Sequence, residues 1–250
     1  MKRILFVALL ISKLTLNAGD FNAIVLEQIR AMPSGGGYAV TRQAHDALNS
    51  AVQESSGGLS IHAAKARPSY CSGATYLVFL KALAAIEERR LMPPVGEGWS
   101  VLVPKAARDG VGIWGRWNAN GPGASRLFHE LGLGRNFTSF DEARPGDFMK
   151  IFWNDAVGKE ERGHLVVFLG RETVGDIAHV RFWSSNKPGG YGEKSVPKAK
   201  IARAIFSRLE NPAGIQNAAR IPKKDAYLAS LLTNESSFEE ALRMSGVVAP

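Results

Sequence analysis

The chain has 250 residues, of which 45% are hydrophobic and 22% charged, with a formal net charge of +8. This composition is ordinary for a globular protein, so it excludes a chain too polar to form a core, and the length suits one large or two small domains. The positive charge implies affinity for anionic surroundings. Because no nucleic-acid-binding motif accompanies the scattered Lys and Arg residues, an anionic polymer such as a cell wall is as good a candidate partner as DNA or RNA. Because such a motif is missing, no nucleic-acid partner is predicted.

The N-terminus has the pattern of a secretory signal. Residues 1–3 are basic at two positions, residues 4–11 are apolar, and Leu16-Asn17-Ala18 offers a cleavage site. The apolar run is too short to cross a bilayer, which needs roughly 20 apolar residues. A buried first strand is the alternative. The pattern predicts a signal peptide over residues 1–18, no stable membrane insertion, and a periplasmic or secreted location.

Helices are predicted for the first half of the mature chain. Apolar spacing and start signals favour helices over 20–32, 41–52 and 69–90, the last stopped by the prolines at 93–94. The glycines at 35–37 are not followed by Gly-Lys-Ser/Thr, so they are interpreted as a flexible turn rather than a phosphate cradle.

A segment rich in Gly and Trp spans residues 96–135, with one short helix predicted over 124–131. Trp114 and Trp117 could be exposed indoles that stack on sugars or line a substrate groove. They could equally pack in the core.

Strand-like patterns follow from Pro145. They cover 147–153, 164–169 and 177–183, whereas 201–209 could be strand or helix. Further helices are expected at 225–232 and after Ser237, where Glu240 completes a capping box. Helices first and an antiparallel sheet second make an α+β fold, with a main domain over 19–211 and a helical extension over 212–250.

Cys71 is the single cysteine of the chain, and it stands where the third helix should begin. A thiol at a helix N-terminus faces the positive end of the helix dipole, which lowers its pKa and favours the nucleophilic thiolate. Most free cysteines are instead small buried hydrophobes. The neighbours Tyr70, Ser72 and Gly73 are not aliphatic, which favours the reactive interpretation.

His164 is the preferred partner because it opens an apolar strand directly after a glycine, where a polar ring suits the rim of a cleft. In a Cys–His pair the imidazole takes the thiol proton, and a third polar group usually orients the ring. Ser184 and Asn186 share one face of the following strand. Asn186 is preferred because its carbonyl oxygen accepts firmly from a ring N–H, and Ser184 is second.

Three motifs resemble those of the NlpC-type papain-fold peptidases. Residues 70–73 (Tyr-Cys-Ser-Gly) resemble the nucleophile motif, 143–149 contain the "PGD" strand entry, and 163–170 resemble the "GH" strand, in the family's order. The resemblance covers residues 69–190 and implies a papain-like fold, with the catalytic Cys at a helix N-terminus packed on an antiparallel sheet. It also implies hydrolysis of amide bonds in peptidoglycan peptides without a cofactor. The family's third catalytic position, commonly His, falls near Ser184, and the segment 96–135 is an insertion.

The predicted function is therefore a secreted cysteine peptidase or amidase that acts on peptidoglycan or its peptide fragments. The predicted catalytic residues are Cys71, His164, Asn186 and Ser184, and the predicted substrate-binding residues are Tyr70, Ser72, Trp114 and Trp117. No metal site is predicted, because Cys-x-x-Cys and paired-histidine spacings do not occur. Two alternatives stay open: an amidase toxin with an immunity partner, and a non-catalytic wall-binding module.

Overall fold

The computed structural model describes residues 21–247, which form an α+β fold in which helices pack on a seven-stranded antiparallel sheet. The helices are α1 (Asn22–Arg30), α2 (Arg42–Ala51), α3 (Cys71–Glu88), α4 (Gly112–Asn118), α5 (Gly123–Leu131), α6 (Ala226–Ser230) and α7 (Phe238–Met244). The strands are β1 (Gly35–Gly36), β2 (Val52–Ser55), β3 (Gly58–Ile61), β4 (Gly134–Phe137), β5 (Phe148–Phe152), β6 (Val157–Gly158), β7 (Gly163–Val174), β8 (Ile177–Asn186), β9 (Gly190–Pro197), β10 (Arg203–Leu209) and β11 (Glu235–Ser236).

The sheet has the order β1-β9-β8-β7-β5-β10-β4, and α3 packs across its centre against β7 and β8. Side chains alternate across each strand. Phe148 and Val167 thus face the core around α3, whereas Met149 and Val166 face a second core on the other side of the sheet. Because α3 lies between the sheet and the outer helices, it is buried on nearly all sides.

The predicted strands and helices correspond closely to the observed ones. The region 201–209 is a strand, β10, which pairs with both β5 and β4. Strand β9 was not predicted, because its sequence is polar and glycine-rich and much of it is exposed. Every residue of β9 pairs with β8, and this pairing stabilises a strand that its own residues do not favour.

The segment 96–135 holds more structure than the one predicted helix. It also contains α4 and a 3₁₀ helix at Gly96–Leu102. Helix α4 was not predicted, because it contains Gly115 and glycine is a poor helix former. Here a Cβ would lie 2.4 Å from the carbonyl oxygen of Arg108, so the close approach of the two backbones requires glycine. The segment completes the sheet through β4.

The "PGD" sequence has a structural role. Asp147 is fully buried and accepts two hydrogen bonds from Arg208, at 2.8 and 2.7 Å, and one from Asn22 Nδ2 at 2.8 Å. Gly146 has φ +100°, and a Cβ there would collide with the backbone of Asn22. The motif therefore ties α1 and β10 to the start of β5.

The described part of the C-terminal segment, residues 212–247, contains α6, α7 and strand β11, which pairs with β6. Arg126 joins it to α5, with its Nε 2.9 Å from Asp225 Oδ2 and a second nitrogen donating to Met244 O at 2.8 Å. No helix between residues 21 and 247 is both long enough and apolar enough to cross a bilayer. The predicted signal peptide, residues 1–18, lies outside the described residues.

Candidate active site

Cys71 is the first residue of α3, and the residue is partly exposed. Tyr70 precedes it in extended conformation, and no side-chain bond from Tyr70 caps the helix. The first N–H groups of a helix have no acceptor within the helix. The thiol therefore lies beside backbone donors that point out of the helix end.

His164 contacts the Cys71 thiol by a hydrogen bond and by charge. It lies at the start of β7, and its Nε2 is 3.2 Å from Oδ1 of Asn186 on β8. Val167 on β7 pairs with Trp183 on β8. Because the strands are antiparallel, three residues back along β7 and three residues forward along β8 bring His164 opposite Asn186. Directly opposed residues on one face of an antiparallel pair are close neighbours.

The amide of Asn186 is fixed in one orientation. Its Nδ2 donates to the carbonyls of Gly192 at 2.8 Å and Ser184 at 3.3 Å, and the side chain is largely buried. Its Oδ1 can only accept a hydrogen bond, so Nε2 of His164 must carry the proton. Nδ1 is then the basic nitrogen available to the thiol.

The environment of Cys71 favours the thiolate. Burial of the thiol opposes ionisation, but the charge and hydrogen bond of His164 outweigh it, with help from the Leu165 backbone and the charge of Lys150. Together they lower the pKa of Cys71 to about 7. A thiol with this pKa is substantially ionised near neutral pH.

Tyr38 is a member of the site that the sequence analysis missed. Its hydroxyl hydrogen-bonds to Cys71, and burial followed by the charge of Cys71 raises the pKa of Tyr38 to about 12. Its position follows from the Gly35–Gly37 segment, which was interpreted as a flexible turn. That segment instead forms edge strand β1, and Gly37 and Ala39 exchange backbone hydrogen bonds with Ser69. Nothing in the local sequence around Tyr38 indicates this pairing.

Ser184 lies near Asn186 but does not contact His164. Its hydroxyl is fully buried and donates to the carbonyl oxygen of Leu165 at 2.8 Å. Between the two candidates for the orienting residue, the geometry therefore brings Asn186 to the imidazole and gives Ser184 a bond to the backbone.

Three of the four predicted substrate-binding side chains point into the core. The indoles of Trp114 and Trp117 are 5% and 1% exposed, so the core-packing interpretation is the correct one. Trp117 stacks on Phe79, although it is also among the residues that line the central cavity. Tyr70 is buried as well, with its hydroxyl 2.8 Å from Nδ1 of His45. All three aromatic residues are therefore largely buried.

Ser72 does line the cleft, as part of a polar wall. Its hydroxyl donates to Oδ1 of Asn118 at 2.7 Å, and the Asn118 amide donates to Asp109 at 3.2 Å. Burial raises the pKa of Asp109. The wall comes from the segment 96–135, so that segment forms one side of the site.

The cleft consists of three neighbouring cavities that share lining residues. The central cavity contains Cys71 and has a volume of about 280 Å³. At His164 it joins a basic lobe of about 380 Å³, and at Val40 and Asn118 it joins an outer lobe of about 660 Å³. The basic lobe is lined by Tyr38, Trp153, Arg162, Phe182, Lys187 and Lys194, among others. Further open space therefore adjoins the central cavity at His164 and at Asn118.

Comparison of the chain with protein-family models, with curated proteins and with solved structures gives no match.

Proposed function

We propose that this protein is a cysteine hydrolase of papain-like, NlpC-type architecture that cleaves amide bonds in peptidoglycan peptides. The observation that carries the proposal is the line from Cys71 through His164 to Asn186. Because the Asn186 amide fixes the tautomer of His164, the imidazole is held ready to accept the thiol proton. A structural cysteine would need neither the base nor the group that orients it.

The reaction follows from these positions. The Cys71 thiolate attacks the carbonyl carbon of the amide, and the N–H groups of the first turn of α3 stabilise the oxyanion. His164, protonated at Nδ1, donates that proton to the leaving amine, so the C–N bond breaks and a thioester forms. Water then attacks the thioester while His164 accepts its proton, which releases a carboxylic acid and restores the thiol.

The shape and charge of the groove support an extended, anionic substrate. A peptide needs room on both sides of the scissile bond, and two further cavities adjoin the one that contains Cys71. Arg162, Lys187 and Lys194 line one end. The net charge of +8 agrees with an anionic polymer.

A periplasmic or secreted location is part of the proposal, since peptidoglycan lies outside the cytoplasmic membrane. An amidase toxin, with an immunity partner, would use the same residues. Intact-mass measurement of the exported protein tests the location, because export predicts the loss of about 18 to 23 residues. A mature species that begins at Met1 would contradict the export.

Digestion of purified peptidoglycan sacculi tests the activity. Mass analysis of the released fragments should show cleavage at an amide bond, with one new amine on one product and one new carboxylate on the other. The Cys71→Ala variant, which should fold normally, is the control and should release none. Unchanged sacculi after incubation with the wild-type protein would overturn the proposed function, and binding without cleavage would favour the wall-binding module.

A further inference from the structure

Lys150 places an ammonium group in the wall of the central cavity that also contains Cys71 and His164. It lies on β5 directly opposite Leu165, the residue after His164. Along β5 it shares a face with Phe148, which packs against α3, so its side chain points to the helix side of the sheet. A charged residue in a strand whose other members are buried and apolar needs a specific reason.

Glu161 holds this lysine but does not use up its hydrogen-bonding capacity. Oε1 of Glu161 accepts from Nζ at 2.6 Å, while Oε2 accepts from the backbone N–H groups of Gly158 and Gly121. The carboxylate is thus fixed by the backbone. Lys150 has three N–H donors, and Glu161 is the one acceptor that its ammonium contacts within residues 21–247. Two N–H donors remain on the ammonium of a residue that is only 9% exposed.

Gly163 keeps the ammonium open to the cleft. A Cβ at this position would lie 2.5 Å from Nζ of Lys150 and 2.6 Å from Oε1 of Glu161. Any other residue here would cover or displace the ion pair. The glycine before His164 therefore leaves the positive charge accessible beside the thiol.

We propose that Lys150 is a specificity-determining residue that binds a free carboxylate on the acyl side of the substrate, close to the carbonyl that Cys71 attacks. This inference rests on the proposed function for its substrate, and it narrows that substrate to an acidic acyl group. Two hydrogen bonds to a carboxylate would satisfy the remaining donors of the buried ammonium. A neutral carboxamide supplies one acceptor oxygen and no charge, so it would bind more weakly.

Alkylation of Cys71 tests the proposal without any hydrolysis. The thiolate displaces iodide from iodoacetate or from iodoacetamide and forms a thioether in both cases, so the two probes differ only in a carboxylate or carboxamide next to the reacting carbon. The ratio of their rates cancels any change in the thiolate fraction. A change in the pKa of Cys71 therefore cannot mimic the effect.

The Lys150→Met variant should lower the iodoacetate-to-iodoacetamide ratio by at least about tenfold, the loss expected for one charge-assisted hydrogen bond. The control is Lys81→Met. It also removes one lysine charge, but at a position on α3 about 15 Å from Cys71 along the helix axis. It should leave the ratio unchanged. An unchanged ratio in folded Lys150→Met would overturn the proposal.

Because Lys150→Met leaves Glu161 buried without its cation, the double variant Lys150→Met with Glu161→Gln is measured as well. The glutamine retains an oxygen for the N–H groups of Gly121 and Gly158. The same fall in the ratio is expected, and no fall would overturn the proposal. If sacculi are not digested but the ratio depends on Lys150, the hydrolase fails and the carboxylate site stands. If sacculi are digested and the iodoacetate-to-iodoacetamide ratio is the same in the Lys150 variants as in the wild type, only the carboxylate site fails.

Discussion

Asn186 Oδ1 lies 3.2 Å from Nε2 of His164, and the amide that carries this oxygen cannot turn over, because its Nδ2 donates to two backbone carbonyls. A flipped amide would turn its N–H donors toward the imidazole. It would also place Oδ1 against the carbonyl oxygens of Ser184 and Gly192. The interaction thus selects one tautomer of His164 and leaves the basic nitrogen for the thiol.

Replacing Asn186 by Ala should reduce kcat for amide hydrolysis by more than about tenfold, but by less than the roughly 10⁴-fold that a wrong histidine tautomer costs a serine protease. The unoriented ring still samples the useful tautomer part of the time. Ser184→Ala should cost less, since its hydroxyl contacts the Leu165 carbonyl rather than the imidazole. Steady-state kinetics of both variants measure the difference. A larger loss in Ser184→Ala would contradict the assignment.

Cys71→Ala and His164→Ala should each abolish hydrolysis, with losses of about 10⁴-fold or more. Both variants should unfold at nearly the wild-type temperature, because neither side chain fills the core. His179→Ala is the matched control: this histidine is bonded to Ser195 at the far end of β8 and should be dispensable. Turnover near the wild-type level in either cleft variant would exclude a cysteine mechanism.

The rate of Cys71 alkylation by iodoacetamide should rise with pH through about 7 and then level off. The thiolate is the reactive form, and the pKa of Cys71 is lowered to about 7. An ordinary thiol, with a pKa near 8.5, would still gain reactivity above pH 8. In His164→Ala the inflection should move to higher pH, because burial then acts without the opposing charge. A profile that is the same in both proteins would contradict the pairing.

Tyr38→Phe should move the same inflection to higher pH and lower kcat. The tyrosine hydroxyl is hydrogen-bonded to Cys71, and its loss removes a donor that stabilises the thiolate. The phenylalanine retains the ring that lies 5.4 Å from Nζ of Lys187, so packing at the groove should be preserved. A pH profile identical to that of the wild type would show that the hydroxyl does not act on the thiol.

Asp147→Ala should lower the free energy of unfolding by about 3–5 kcal/mol, because it leaves Arg208 buried without its carboxylate. Asp141→Ala is the control. Its side chain is 86% exposed and paired with Arg171 at the surface, so about 0–1 kcal/mol is expected. Denaturant unfolding of both variants measures the difference. Equal stabilities would contradict a structural role for the "PGD" aspartate.

The local pattern of the sequence was enough to predict the helix that begins at Cys71, the strand that begins beside His164, and the strand that carries Asn186. Each of these is set by residues a few positions apart: start signals before α3, glycines around β7, and the strand-like run 177–183, which β8 continues through Asn186. The preference for Asn186 over Ser184 came from side-chain chemistry, because an amide carbonyl oxygen accepts a hydrogen bond from an imidazole N–H more firmly than a serine hydroxyl does.

The tertiary structure decided the features that join distant parts of the chain. Tyr38 reaches Cys71 only because the glycine segment before it pairs with β9, more than 150 residues away in sequence. Trp114 and Trp117 are buried because α3 and the sheet close over them, whereas their own segment, rich in Gly and Asn, suggested an open surface as readily. Lys150 appeared as one more residue of a strand, and its placement beside the thiol depends on Glu161, Gly163 and the register of β5 with β7. Periodicity in a sequence reports which face of an element is buried, but only packing determines which side chains from separate elements share a cavity.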